Sequence, residues 1–319
     1  MQSMKYNVFI ATHPFGLCGD KHVKMLEETG WNIVYNSLGR RLSGNDVESM
    51  LNGVHAVIAG TEPYTKDTLK FAKDLRVISR VGVGVDNVDF NICREKNIVV
   101  TYTPEAPADG VADLTVSQII NLLRGILISD RSVRDGKWNR IVGKLVSEVK
   151  IGIMGAGRIG SRVISRLKSF GGSNIYVCDI IKKDIVDVIW VDKEEMFKIC
   201  DIVTIHIPLN KNNYHCVGVK EMSSMKSGSF IINTSRGKII DEKALEILLC
   251  NKHLGGAAID VFGKEPYSGV LQELDNVILT AHIGASTYRS RFMMEYEAVE
   301  DCIRVLNGQT PLRVAIEDE

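Results

Sequence analysis

Residues 151–160 of the 319-residue chain read IGIMGAGRIG, and this stretch decides the fold. The apolar run 151–154 is typical of a buried parallel strand, and glycines follow it at 155, 157 and 160. A helical pattern over 161–170 comes next. In this setting the first glycine permits a tight turn, the second lets a phosphate approach the backbone, and the third lets the helix pack closely on the strand. The helix N-terminus adds free N–H groups and a positive dipole end.

An acidic residue ends the next predicted strand, because Asp179 follows the apolar run 175–178. A carboxylate at this place accepts hydrogen bonds from the adenosine ribose and repels a 2′-phosphate. A structural glycine turn and a solvated aspartate are the alternatives, and Lys182 and Lys183 lie nearby. The order of strand, loop, helix, strand and acid favours an NAD site. Its predicted contacts come from Gly155, Gly157, Arg158, Ile159, Gly160 and Asp179.

Short β-branched runs alternate with helical patterns along the rest of the chain, which predicts an α/β protein with parallel sheets covered on both faces. Two long helices, near 108–132 and 287–306, bracket the second series of strands. We therefore expect two doubly wound domains, with residues 101–285 inserted between 1–100 and 286–319. The predicted strands are 7–11, 32–35, 56–59, 77–79, 98–101, 150–154, 175–178, 188–190, 202–205, 229–233, 257–260 and 277–279, and the shorter helices of the first series lie near 20–29, 44–52, 65–73 and 89–96.

The composition excludes several classes of function. Lys and Arg number 39 and Asp and Glu number 39, so there is no basic excess for nucleic acid or for a membrane surface. No apolar run approaches roughly 18 residues, and residues 1–11 lack the length and cleavage site of a signal peptide. The seven cysteines are scattered without a C-x-x-C pair, which favours reduced thiols in a cytoplasm and argues against a zinc ribbon or a disulfide framework. The sequence also has no H-E-x-x-H motif, so we expect no metal site.

Three later strands are each followed by a chemically active side chain, namely Arg236, Glu265 and His282. Ligands bind at the carboxyl ends of strands in open α/β sheets, so these residues are candidates for catalysis. Taken singly, an arginine in a surface salt bridge or a histidine satisfied in the core would be the commoner interpretation.

The segments that carry these residues resemble the D-isomer-specific 2-hydroxyacid dehydrogenases, most closely the phosphoglycerate dehydrogenase-like branch without its C-terminal regulatory domain. The matching segments are SRVGVGVDNVD (79–89), TPEAPADGVADLT (103–115), RSVRDGKWNR (131–140), HIPL (206–209), INTSRG (232–237), AAIDVFGKEP (257–266) and ILTAHIGAST (278–287). The resemblance implies a Rossmann NAD-binding domain inserted into a flavodoxin-like substrate-binding domain. It also implies hydride transfer between nicotinamide and a small 2-keto or D-2-hydroxy acid.

The resemblance assigns roles to individual residues. Arg236 would bind the carboxylate and keto oxygen, His282 would act as general acid or base, and Glu265 would orient the imidazole and stabilise its charged form. The amides of Val83 and Gly84 would bind the substrate carboxylate. Further cofactor contacts are expected from His206, Pro208, Thr234, Asp260 and Gly284, with Asp260 on the nicotinamide amide. A homodimer formed through the cofactor domain, near 131–140 and Trp138, is also implied.

The chain departs from the family pattern at several positions. Gly60 stands where phosphoglycerate dehydrogenases carry a phosphate-binding arginine, which leaves Arg80 as an exposed cation near the substrate carboxylate. We therefore favour glyoxylate or hydroxypyruvate over a 3-phosphoglycerate-like substrate, although Arg40 or Arg41 could replace the missing ligand. Smaller departures are Pro107 for asparagine, Asp113 for glutamate and Ala281 for proline.

A non-enzymatic NAD-sensing protein, like the co-repressors built on this fold, is the alternative function. Co-repressors of this kind can retain the three catalytic residues, so these residues alone do not discriminate.

Overall fold

A computed structural model describes residues 5–317 of the chain. The chain forms two compact units, one made of Met1–Pro107 with Thr287–Glu319 and the other of Ala108–Ser286.

The first unit contains a five-stranded sheet in the order β2-β1-β3-β4-β5, and every pair is parallel. This is the doubly wound strand order of flavodoxin-like folds. The chain adds β2 on one side of β1 and then adds β3, β4 and β5 on the other side, so the strand order reverses between β1 and β3. Its strands are β1 (Asn7–Ile10), β2 (Asn32–Tyr35), β3 (Ala56–Ala59), β4 (Val77–Arg80) and β5 (Val99–Thr101), and its first helices are α1 (Lys21–Glu27), α2 (Gly44–Met50) and α3 (Phe90–Glu95).

The second unit contains a seven-stranded parallel sheet in the order β12-β11-β10-β9-β6-β7-β8. The order in which the chain adds strands to the sheet reverses between β6 and β9, as in a Rossmann domain. The strands are β6 (Ile151–Met154), β7 (Ile175–Cys178), β8 (Ile189–Trp190), β9 (Ile202–Ile205), β10 (Ser229–Asn233), β11 (Leu254–Ile259) and β12 (Val277–Leu279), and the helices are α4 (Ala108–Arg124), α5 (Ile126–Arg134), α6 (Arg158–Ser169), α7 (Lys193–Ile199), α8 (Val219–Ser224) and α9 (Glu242–Cys250).

The last helix, α10 (Tyr288–Leu306), belongs to the first unit and packs against β3, β4 and β5. Ser79 on β4 donates a hydrogen bond to the carbonyl of Ala298 on α10 at 2.6 Å. The central strands β3, β4, β6 and β9 are buried along their whole length, as expected for parallel strands covered on both faces. The structure confirms the predicted α/β class, the parallel sheets and the twelve strands.

Two helix predictions were wrong. The long helix expected near 108–132 is two helices that meet at a bend of 62°. Gly125 between them has a φ of +57°, a left-handed conformation that favours glycine, and a Cβ at this position would lie 2.9 Å from Ile141 Cδ1. The helix expected near 65–73 is a series of turns, because the N–H groups of Lys70 and Ala72 donate to carbonyls three residues back instead of four.

Within residues 5–317, no single helix has both the length and the apolar composition needed to cross a bilayer; α4 and α5 meet these criteria only as a bent pair.

Candidate active site

The loops after β10, β11 and β12 carry Arg236, Glu265 and His282 in turn. These three strands are neighbours in a parallel sheet, so their carboxyl ends lie along one edge. The loops also approach each other closely, because a Cβ at Gly237 would lie 2.0 Å from the carbonyl carbon of Phe262. Only glycine allows the β10 loop to come this near the β11 loop.

Glu265 and His282 form a hydrogen-bonded pair, with 3.0 Å between Glu265 Oε2 and His282 Nδ1. The other carboxylate oxygen, Oε1, accepts a hydrogen bond from the backbone N–H of Phe262 at 3.1 Å. An ionised carboxylate only accepts, so Nδ1 carries the proton that it donates to Glu265. The side chains of His282 and Glu265 are 38% and 29% exposed, which leaves His282 Nε2 able to exchange a proton with a ligand.

His282 sits in a tight turn with a φ of +53°, a left-handed conformation that is uncommon for a residue with a Cβ. The buried carboxylate of Asp260 holds this turn. It accepts hydrogen bonds from Thr280 Oγ1 at 2.6 Å and from the N–H groups of Ile283 at 2.8 Å and Gly284 at 2.9 Å. The sequence suggested Asp260 only as a ligand of the nicotinamide amide. Its hydrogen bonds to the protein were missed.

Arg236 is half-buried and extended, and its Nη1 donates to the carbonyl of Ser235 at 2.8 Å. Asn233 organises the loop around it, because its amide donates to the carbonyl of Arg236 at 2.8 Å and accepts from the backbone and hydroxyl of Ser235. Asn233 was not among the site residues predicted from the sequence. The signal was its place in Asn-Thr-Ser, since an asparagine at the start of a turn commonly bonds the backbone two residues on.

The glycine-rich turn after β6 has the shape that a dinucleotide requires. Gly155 has a φ of +94°, and a Cβ there would lie 2.5 Å from the carbonyl oxygen of His206. A Cβ at Gly160 would lie 1.9 Å from the carbonyl oxygen of Gly155, whereas one at Gly157 would have no neighbour within 4 Å. The first and third glycines therefore serve packing, and the second leaves backbone open beside the N-terminus of α6. These residues fit a bound pyrophosphate.

Asp179, after β7, is tied to the same turn. Its Oδ2 accepts a hydrogen bond from the N–H of Ala156 at 2.6 Å, and its Oδ1 accepts one from the N–H of Ile181 at 3.0 Å. Each carboxylate oxygen keeps a second lone pair that a ribose hydroxyl can use. Asp179 therefore also positions the glycine-rich turn, which the sequence did not predict.

The remaining predicted cofactor residues lie in buried or tightly bonded positions. Burial lowers the pKa of His206 from 6.5 to about 3, so the ring is neutral, and its Nε2 lies 3.0 Å from Thr204 Oγ1. Its buried Nδ1 has no hydrogen-bond partner within residues 5–317. Thr234 Oγ1 lies 2.9 Å from Thr115 Oγ1 on α4, and the carbonyl of Pro208 accepts from Asn213 Nδ2 at 2.5 Å.

In the first unit, the loop after β4 has free backbone donors. Gly82 has a φ of +146°, and its N–H donates to Thr103 Oγ1 at 2.8 Å. In the described part of the chain, the N–H groups of Val83 and Gly84 have no acceptor. Two adjacent free N–H groups are suited to an anionic ligand such as a carboxylate.

The expectation that Arg80 is exposed was wrong. Arg80 is only 4% exposed, and its guanidinium donates to the carbonyls of Gly84, Gly60 and Val81. Nε and Nη1 of this side chain thus donate to the protein backbone, and the side chain does not extend into solvent. The prediction failed because a charged residue at a strand end is usually exposed.

The two other candidate cations lie on the surface. Arg40 pairs with Asp46 at 2.8 Å, whereas Arg41 donates from Nη2 to the carbonyl of Thr61 at 2.5 Å. A Cβ at Gly60, next to Thr61, would lie 2.7 Å from Glu62 Oε2, so a larger residue there would displace Glu62. Arg41 is thus an exposed cation close to Gly60, the position at which the family pattern has a phosphate-binding arginine.

Comparison with known proteins agrees with this geometry. Residues 116–284 match the family model of the NAD binding domain of D-isomer specific 2-hydroxyacid dehydrogenases, which confirms the predicted cofactor. A glyoxylate reductase of Thermococcus litoralis is 34% identical over 81% of this chain and 82% of its own. A D-3-phosphoglycerate dehydrogenase of Methanocaldococcus jannaschii is 34% identical over 90% of this chain but only 56% of its own length.

Solved structures agree as well. A protein of Thermus thermophilus superposes with a TM-score of 0.88 at 29% identity, covering 97% of this chain and 100% of that one. The D-lactate dehydrogenase of Aquifex aeolicus, solved with NAD and lactic acid, gives a TM-score of 0.87 over 98% and 100% of the two chains, and at 23% identity it supports the fold alone. Since the family model spans more than half of the chain and relatives exceed 30% identity over most of it, the chain belongs to the D-isomer-specific 2-hydroxyacid dehydrogenases.

Proposed function

We propose that the protein reduces a small 2-keto acid to the D-2-hydroxy acid with NADH, and catalyses the reverse reaction with NAD. The hydrogen bond between Glu265 and His282, at the same sheet edge as the glycine-rich turn, carries this proposal. The bound nicotinamide supplies or accepts the hydride. The residues of the chain supply the proton and bind the charged groups of the substrate.

His282 is the proton donor in reduction. Negative charge develops on the keto oxygen as the hydride reaches the carbon, and Nε2 gives its proton to that oxygen. Glu265 keeps the proton on Nδ1 and stabilises the imidazolium before the transfer. In oxidation the neutral ring takes the hydroxyl proton.

Arg236 binds the substrate oxygens through its planar guanidinium, which suits a carboxylate and a developing oxyanion. The free N–H groups of Val83 and Gly84 bind the carboxylate. The first unit is accordingly assigned to the substrate and the second to NAD.

The favoured substrates are short and polar, such as glyoxylate or hydroxypyruvate. Arg80 is buried and donates from Nε and Nη1 to backbone carbonyls, which makes it a poor ligand for a phosphate. A phosphorylated substrate such as 3-phosphohydroxypyruvate is the second candidate, favoured by Arg41 beside Thr61. One exposed arginine holds a phosphate less well than a pair of cations, and the contact weakens in salt.

The test is a panel of 2-keto acids with NADH and with NADPH, followed by nicotinamide absorbance. Hydroxypyruvate and 3-phosphohydroxypyruvate are compared at low and high salt. A large preference for the phosphorylated acid that salt and Arg41→Ala both weaken would replace the favoured substrate with the second. Tight NADH binding without turnover of any acid would instead support the NAD-sensing alternative.

A homodimer in the cytoplasm completes the proposal. Apolar side chains are exposed along α5 and the segment after it, including Val133 (50%), Trp138 (76%) and Val142 (97%). Several exposed apolar side chains within one short segment are suited to contact with a second copy of the chain. All seven cysteines are free thiols, as in reducing compartments. Light scattering should give twice the chain mass, and Trp138→Lys should reduce it towards the monomer.

A further inference from the structure

We infer that Arg80 is a positioning residue for the carboxylate-binding loop, acting through the backbone of residues 81–84 without touching substrate. The inference rests on the proposed function, which gives the amides of Val83 and Gly84 to the substrate carboxylate. It explains what holds the backbone of this loop in its conformation.

The guanidinium joins two loops that leave adjacent strands. Arg80 is the last residue of β4, and its neighbour in the sheet is Ala59 at the end of β3. From this place Nε donates to the carbonyl of Gly84 at 2.9 Å, on the β4 side. Nη1 donates to the carbonyl of Gly60, on the β3 side, and lies 3.3 Å from the carbonyl oxygen of Val81.

The bonded carbonyls lie on either side of the free amides. Val81 and Gly84 are held by Arg80, and the N–H groups of Val83 and Gly84 between them have no acceptor within residues 5–317. The guanidinium also packs directly against the turn, because a Cβ at Gly82 would lie 3.3 Å from Arg80 Nη2. Arg80 therefore holds both ends of the short segment that carries the free amides, and the carbonyl of Gly82 within it accepts a hydrogen bond from Thr103 N–H at 3.0 Å.

Arginine is needed for this arrangement because its planar guanidinium can donate to the carbonyls of both loops at the same time. Lysine has one flexible ammonium, which can reach the carbonyls of one loop but does not hold both in a set geometry. A second anchor acts on the same loop, where Thr103 Oγ1 accepts from Gly82 N–H at 2.8 Å. Loss of either anchor should loosen the same two amides.

The carboxylate keeps its charge through the reaction, so the loop binds ground state and transition state alike. Weakening it should raise KM and leave kcat nearly unchanged. A residue that only stabilised the fold would lower the unfolding temperature without this separation of KM and kcat.

The experiment measures KM and kcat for glyoxylate, the Kd of NADH, and calorimetric binding of oxamate, a 2-keto acid analogue that carries a carboxylate, in the unmodified protein and in Arg80→Lys and Arg80→Met. We expect KM and the Kd of oxamate to rise together, by about tenfold for lysine and about a hundredfold for methionine, with kcat within about threefold. The Kd of NADH should not change. The matched control is Arg94→Met, an exposed arginine of the same unit that pairs with Glu317.

If Arg80→Met fails to fold, Thr103→Val should give the same rise in KM, and Thr103→Ser should restore the original value. Unchanged KM and unchanged oxamate binding in Arg80→Lys and Thr103→Val would overturn the inference, whatever the loss in thermal stability. An unmodified protein that turns over no keto acid would count against the proposed function. Oxamate binding would then still decide the role of Arg80.

Discussion

Asp260 holds His282 in its strained turn: the backbone N–H of His282 donates to the carbonyl of Asp260 at 2.9 Å, and the Asp260 carboxylate binds the turn on both sides of the histidine. A left-handed conformation at a histidine persists only where the surrounding structure enforces it. The position of the His282 side chain therefore depends on a buried carboxylate just after the neighbouring strand.

Asp260→Asn should lower kcat by about ten- to a hundredfold, because its amide would place a donor against the N–H of Gly284 or Ile283 and leave a buried group unpaired. Thr280→Val, which removes the third hydrogen bond, should lower kcat less, and Thr280→Ser should act as the unmodified protein. Steady-state kinetics and the Kd of NADH are measured for each. A change confined to NADH affinity would mean that Asp260 serves the cofactor alone.

His282→Ala should lower kcat by about 10²–10⁴ while NADH binding survives, because the general acid is lost and the cofactor contacts are not. Without the imidazole the site has neither the proton donor for reduction nor the proton acceptor for oxidation, so both directions should slow. Glu265→Gln should lower kcat less than His282→Ala does, because the imidazole remains and the amide oxygen can still accept the Nδ1 proton without the charge of the carboxylate. A His282→Ala variant that keeps its kcat would contradict the assignment.

The candidate site was predictable where a residue's neighbours in sequence fix its surroundings. The buried strands and the glycine-rich turn are visible as apolar runs and spacings, and so are the strand ends that carry Arg236, Glu265 and His282. The hydrogen bonds of Asp179 and Asp260 were not, because an acid at a strand end has the same pattern whether it binds a ligand or the backbone. Arg80 was misjudged because its carbonyl partners come partly from another strand.

Asp179→Ala should weaken the preference for NADH over NADPH without abolishing turnover, because the carboxylate that repels a 2′-phosphate is removed. It should also raise the KM of NADH, since the mutation frees the N–H of Ala156 in the glycine-rich turn. The control is Asp184→Ala, an exposed acid a few residues on, which should change neither constant. Equal use of NADPH and NADH by the unmodified protein would show that the interpretation of Asp179 is wrong.

His206 should make the protein less stable in acid. Burial lowers the pKa of His206 from 6.5 to about 3, so the ring is neutral in both the folded and the unfolded chain above pH 6.5. Between pH 6.5 and about pH 3, His206 is protonated in the unfolded chain but stays neutral in the folded chain. The free energy of unfolding therefore falls as pH decreases through this range. At about 1.4 kcal/mol per pH unit, the loss near pH 5 is about 2 kcal/mol.

The measurement is urea unfolding at pH 7 and pH 5 for the unmodified protein, His206→Gln and His215→Gln. Glutamine at 206 has no proton to gain, so the loss of stability between the two pH values should shrink by about 2 kcal/mol, even if the variant is less stable at both. His215 is exposed, so its replacement should leave that loss as it was. An equal loss in all three proteins would mean that His206 is protonated in the folded chain at pH 5, and that its buried ring is not held neutral beside the glycine-rich turn.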